Sequence, residues 1–261
     1  MFSNEPRTHY QKNQLGEVIC QLRFPEILSI GAKPPVDFQE AIRADYPRYQ
    51  CLQEQAAPKI TGTPGNLSLQ NRPATPNYQF VSLDGVWRVN LTSKFISLAC
   101  KQYDCWEDFA RHLDKPLAAF IQLYKPAGFD RVGLRYVNLF DRDALGLHGV
   151  PYRELFQSFY LGPLALDEIS EAGVRACGVD GELSIRGGCF LKFHAGPGMV
   201  RQNGQKDGKP RFILDMDLYM PGNVPANLSA GALQTLHSQA DALFRGAITD
   251  TLHDSLLPED I

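Results

Sequence analysis

The ten residues Arg-Val-Gly-Leu-Arg-Tyr-Val-Asn-Leu-Phe at 131–140 constrain the fold of this chain more than any other stretch. Bulky and smaller or polar residues alternate with a period of two, and strand geometry sends neighbouring side chains to opposite faces. Val132, Leu134, Tyr136, Asn138 and Phe140 share one face, and Arg131, Gly133, Arg135, Val137 and Leu139 share the other. The first face is core, so Asn138 is expected to be a buried amide that needs partners. The second is mixed, with two guanidiniums flanking a glycine that lets another group approach the backbone. It is either a solvated sheet face or a binding surface.

Other segments follow the same rule. Glu-Val-Ile-Cys-Gln-Leu-Arg-Phe (17–24) reads as a strand, and 35–46 as an amphipathic helix opened by proline and stopped before Pro47. Residues 47–77 are rich in turn formers, with a strand expected around 58–69. Three more strands follow, with Asp84-Gly85 as a hairpin signal. A long helix is expected over 104–124, with Asp104 as its N-cap and Pro126-Ala127-Gly128 as its stop. After the 131–140 strand, a short helix from Pro151 is expected. Strands around 174–185, 189–196 and 211–220 come next, and a closing helix over 229–254.

Both halves, 1–126 and 127–261, thus read strand, helix, strands, long helix. This predicts an α+β fold of duplicated strand-helix-strands-helix halves that continue one curved antiparallel sheet. The long helices are expected to pack on one face, leaving the other open. The two halves are expected to form one continuous structural unit.

At 261 residues with 44% hydrophobic and 21% charged residues, the composition is that of an ordinary globular protein. A formal net charge of −3 gives no case for nucleic-acid binding. No basic-then-apolar leader opens the sequence and no apolar run is long enough to span a bilayer, so a cytoplasmic protein without a membrane partner is expected. Cys20, Cys51, Cys100, Cys105, Cys177 and Cys189 form no Cys-x-x-Cys pair, and the strand positions of Cys20, Cys100 and Cys189 suit reduced cysteine acting as a small hydrophobe.

No phosphate-loop, dinucleotide-binding, zincin or nucleophile-elbow motif occurs. The glycines of 187–198 flank a strand, which fits a hairpin rather than a phosphate cradle. A sharper constellation lies on the second-half strands. Phe190, Lys192 and His194 share a face, as do Asp215, Asp217 and Tyr219, and Arg131 and Arg135 sit on the mixed face of a third strand. If those faces coincide, the open sheet carries arginine, lysine, histidine and two aspartates. His194, Asp215 and Asp217 could then form a facial triad of metal ligands. The bland alternative is cross-strand ion pairing on a wet face. His112 and His237, within long helices, read as surface or interface residues. The turn-rich loop 196–210 reads as a hairpin tip that could act as a flap over the open face.

Two short patterns resemble a sporadically distributed bacterial family of unknown function. One is a Y-x-x-W-E-x-F helix start, here Tyr103, Trp106, Glu107 and Phe109. The other is an R-x-G-L-R-Y-x-N strand, here Arg131, Gly133, Leu134, Arg135, Tyr136 and Asn138. More distantly, the chain is similar to the paralogous accessory proteins of crocagin biosynthesis, a ribosomal peptide natural product. That resemblance implies binding of a precursor peptide and supplies no catalytic residues. By topology, an open sheet backed by helices resembles the TATA-box-binding-protein-like and helix-grip folds, a likeness that carries no function.

The combined expectation is a non-enzymatic, cofactor-free accessory protein binding a peptide or protein segment. Arg23, Arg131, Arg135, Asn138, Lys192, His194, Asp215 and Asp217 are the candidate ligand-binding residues. Oligomers through sheet edges are a further expectation, since an edge strand can accept another strand. The alternative is a peptide-modifying enzyme of a novel type using the His194, Asp215 and Asp217 side chains.

Overall fold

The computed structural model describes residues 1–54, 59–63, 66–70, 74–202 and 205–260. In chain order the first half contains β1 (Thr8–Tyr10), β2 (Leu15–Arg23), α1 (Leu28–Ala32), α2 (Val36–Ile42), β3 (Arg48–Glu54), β4 (Lys59–Thr63) and β5 (Asn66–Gln70). It continues with β6 (Thr75–Val81), β7 (Trp87–Leu91), β8 (Phe95–Cys100) and α3 (Trp106–Tyr124). The second half contains β9 (Phe129–Phe140), β10 (Val179–Ser184), β11 (Phe190–Gly198), β12 (Arg201–Gln202), β13 (Gln205–Lys206) and β14 (Arg211–Val224). It closes with α4 (Ser229–Arg245), α5 (Asp250–Ser255) and β15 (Pro258–Asp260).

Nine strands make one antiparallel sheet in the order β10-β11-β14-β9-β2-β8-β7-β6-β3. Within the large sheet, each half's first strand pairs with its last, β2 with β8 and β9 with β14, while β1 and β15 pair apart from it. The halves join where β2 pairs with β9. The α+β class and the antiparallel sheet therefore follow the alternation read in the sequence. The halves are not equal, because the first brings five strands to the sheet and the second brings four.

Register explains which face is covered. Cys20 opposes Leu98 on one side and Leu134 on the other, and Leu134 opposes Leu218, which opposes Leu191. All five are buried, so one apolar layer runs across the sheet. Helix α3 lays Trp106, Phe109, Leu113, Leu117 and Phe120 on this layer, spaced by three and four residues as a helical stripe requires. Helix α4 does the same with Leu233, Leu236, Ala240 and Leu243. The two helices meet where the Trp106 ring stacks on His237, centroids 4.7 Å apart, and donates from Nε1 to Gln234 Oε1 at 2.7 Å. Both long helices thus cover the same face.

Several local expectations are corrected. The α-helix expected from Pro151 is a series of short 3₁₀ turns. There the Gln157 N–H donates to Ala247 O and Leu155 O accepts from Thr249 N–H, which takes the backbone out of helical bonding. That same segment, 246–249, interrupts the helix expected over 229–254, and Thr249 caps the short α5. Asp104 does not cap α3, whose N-cap is Cys105 with no side-chain bond. Asp104 instead meets His9 Nε2 at 3.2 Å. The strand expected at 58–69 is the β4–β5 hairpin, separate from the main sheet. Part of the expected 196–210 flap, residues 203–204, lies outside the described residues, and β12 pairs with β13 on either side of it. All six cysteines are free thiols, with Cys20, Cys100 and Cys189 buried.

Candidate functional site

The uncovered face brings the expected residues together, and they engage one another. Lys192 opposes Asp217, which opposes Arg135, while His194 opposes Asp215. The contacts run diagonally, as neighbouring strands allow. Arg131 Nη2 donates to both Asp217 oxygens at 2.7 and 2.8 Å, and Arg135 makes a two-pronged pair with Asp215. An added Cβ on Gly133 would overlap the Arg131 guanidinium, so the glycine makes the hollow in which that group lies. Arg131 also sits over the Tyr219 ring at 4.5 Å, and that ring stacks on Phe190.

The facial triad of His194, Asp215 and Asp217 does not assemble. His194 Nδ1 lies 2.9 Å from Asp180, and each aspartate is held by an arginine. Among the described residues no cluster of three or more His, Cys, Asp or Glu side chains is arranged to hold a metal ion. Arg23 and Lys192 are exposed and make no ion pair among the described residues, and Arg23 stands opposite Arg131. Asn138 is apart from all of these. It lies on the covered face, 2% exposed, and donates from Nδ2 to Leu214 O at 3.1 Å.

Asn138 belongs to a pocket on that covered face, a cavity of about 90 Å³. Its floor is β9 and β14 through Tyr136, Asn138 and Met216, and one wall is α4 through His237, Ala240, Asp241 and Phe244. The N-terminal segment from Arg7 to Leu15 crosses over it, together with Tyr103 to Cys105. That crossing segment is held at its start by β1, which pairs with β15. Arg7 forks onto both Glu107 oxygens at 2.7 and 3.1 Å, and Asn13 Nδ2 donates to Tyr103 O at 3.2 Å. The two sequence patterns, 28 residues from each other at their first positions, therefore meet here: Tyr103, Trp106 and Glu107 from one, Tyr136 and Asn138 from the other.

The pocket is mostly apolar and has a few polar groups converging in it. Tyr136 OH lies 3.0 Å from His237 Nδ1, and the Tyr103 and Tyr136 rings meet edge-on at 5.9 Å. Burial pushes the Tyr136 phenol well above its ordinary value, with the charge and hydroxyl of Tyr103 adding to it. Burial lowers His237 to about 4, so its ring is neutral at pH 7, and its Nε2 is buried without a partner. Burial raises the Asp241 carboxyl to about 6, against a modest opposing pull from Arg7. Among the described residues no donor bonds to that carboxylate, because Arg7 gives its fork to Glu107.

Sequence reasoning missed most of this pocket. Its best signal is His237 and Asp241, four residues apart, with His237 inside the apolar stripe of α4 between Leu236 and Ala240. The His237 position, read as surface or interface, is buried at 6% exposure under Trp106. The crossing N-terminal segment has no periodicity that would announce its place.

No family model matches this chain, and no curated protein is detectably similar to it.

Proposed function

We propose that the protein binds a peptide or protein segment and seats a lysine side chain of it in the pocket beneath the N-terminal segment. The observation that carries this reading is the Asp241 carboxylate, half-buried, raised to about 6 and without a hydrogen-bond donor among the described residues. An unpaired carboxylate in a partly apolar cleft costs stability, and such costs concentrate where a ligand completes the interaction. The pocket is the size of a side chain rather than of a whole small-molecule ligand, which suits one residue of a longer partner. Tyr103, Tyr136 and Asn138 supply further hydroxyl and amide groups around it. The resemblance to peptide natural-product accessory proteins supports the same class of partner. The open face suits this role less well, since Arg131, Arg135, Asp215 and Asp217 already satisfy one another.

The test is calorimetric titration with a library of acetylated, amidated heptapeptides, comparing lysine with norleucine at each position. A charge-assisted contact of about 1.5–3 kcal/mol predicts roughly 10- to 150-fold preference for lysine at one position. Asp241→Asn should remove that preference. Equal binding of lysine and norleucine peptides, or an unaltered preference in Asp241→Asn, would refute the reading.

A further inference from the structure

The nine-stranded sheet has two open ends, and they are built differently. At one end β10 carries Asp180 and Glu182 in its middle, both exposed, so its edge is guarded by like charges. Charges in the centre of an edge strand oppose the addition of another strand. At the other end β3, Arg-Tyr-Gln-Cys-Leu-Gln-Glu, pairs only with β6 among the described residues. All seven residues are exposed, including Tyr49 at 43% and Leu52 at 45%. It has no proline, no glycine and no bulge, and its five central residues are uncharged. Among the described residues the usual protections within an edge strand, a proline, a bulge or a central charge, are absent from β3.

Its charges stand only at the two ends and have opposite signs. An antiparallel copy of the same strand, related by a two-fold axis through Cys51, places Arg48 opposite Glu54, Tyr49 opposite Gln53 and Gln50 opposite Leu52. Cys51 then faces Cys51 of the second copy. Moving the axis by one residue in either direction leaves Arg48 and Glu54 without each other. The axis also keeps faces aligned: Tyr49 and Cys51 register with Phe80 and Tyr78 on the helix-covered face, while Gln50 and Leu52 register with Gln79 and Asn77, both buried, on the opposite face. Arg48 has no ion-pair partner among the described residues of its own chain, and Tyr49 is already braced against Tyr78 and Phe80.

We propose that β3 is a self-complementary edge through which two copies of this chain pair antiparallel about Cys51, continuing the sheet from one protomer to the next. The inference rests on the edge alone and is independent of the pocket.

The experiment combines sedimentation equilibrium across a concentration series with thiol cross-linking by a short bis-maleimide. Directly opposed residues of an antiparallel pair have Cβ atoms about 4.5–5.5 Å apart, within reach of such a linker. The expected result is a reversible dimer, a covalent dimer that disappears in Cys51→Ser, and at least tenfold weaker association in Arg48→Glu. The double variant Arg48→Glu/Glu54→Arg should restore association, and circular dichroism confirms that each variant is folded. A protein that stays monomeric throughout, a dimer indifferent to Arg48→Glu, or cross-linking that survives Cys51→Ser would each overturn the proposal.

Discussion

Replacing Asp241 by asparagine should make the protein more stable at neutral pH, by an amount that shrinks on acidification. The carboxyl is raised from 3.8 to about 6, chiefly by burial. That displacement of about two pH units corresponds to roughly 3 kcal/mol of differential interaction for a fully buried group. The carboxyl is only half-buried, so solvent reduces the figure to ~1–2 kcal/mol. The sign follows from linkage. Between the unfolded value near 4 and the folded value near 6 the native state binds more protons, so this group's stability is present in acid and lost as pH rises through 6. His237 works the other way: its folded value is depressed from 6.5 to about 4, so its contribution is present above 6.5 and lost as pH falls. The two slopes oppose each other over the same interval in the native protein. Urea denaturation of native protein and Asp241→Asn at pH 4.5, 5.5, 6.5 and 7.5 separates them, because His237 is common to both. The expected difference is ~1–2 kcal/mol in favour of the variant at pH 7.5, shrinking to about a third of that at pH 4.5. The variant should also lose stability more steeply on acidification. A difference that does not change with pH, or a variant less stable at pH 7.5, would refute the argument and with it the idea of an unpaired, desolvated carboxylate.

On the open face, Gly133→Ala should displace the Arg131 guanidinium from Asp217 and cost about 1 kcal/mol, measured by urea denaturation; in an Arg131→Ala background the same change should cost much less. Arg135→Ala should cost under ~1 kcal/mol by the same assay, because Arg135 is 46% exposed although its partner Asp215 is 18% exposed. On the covered face, Asn138→Leu should lower stability by ~1–3 kcal/mol, read as a fall in thermal midpoint, since the amide bonds Leu214 O where water does not reach.

The fold was legible in the sequence wherever period and register agree. The alternation at 131–140 placed Asn138 in the core and Arg131, Gly133 and Arg135 on the open face, and register bears each placement out. The long helix expected over 104–124 is α3, and its stripe from Trp106 to Phe120 is buried against the sheet. Local periodicity failed where tertiary bonds compete with it. Tyr152, Leu155, Phe156 and Tyr160 have helical spacing, yet this segment bonds to the chain at 246–249 and forms 3₁₀ turns. Nothing within ten residues of Tyr152 announces that competition.

The candidate site was legible only in part, and the reason is geometric. A sequence read strand by strand can say which residues share a face, but not which side chains find partners across strands. Arg131 and Arg135 were candidates because they are cations on an open face, and the aspartates that neutralise them lie 80 or more residues away on β14. The reverse holds for Asp241. In sequence it is an ordinary acidic residue on a helix, preceded by Ala240 and followed by Ala242. Its significance comes from its surroundings: the N-terminal segment lines the same pocket and leaves it half-buried, while the fork of Arg7 goes to Glu107. On the proposed reading the Asp241 carboxylate is the charge a partner meets, whereas Arg131, Arg135, Asp215 and Asp217 on the open face are already paired. On this argument, deleting Glu107's claim on Arg7 by Glu107→Gln should let Arg7 turn to Asp241, return its carboxyl toward the ordinary range and weaken capture of a cation.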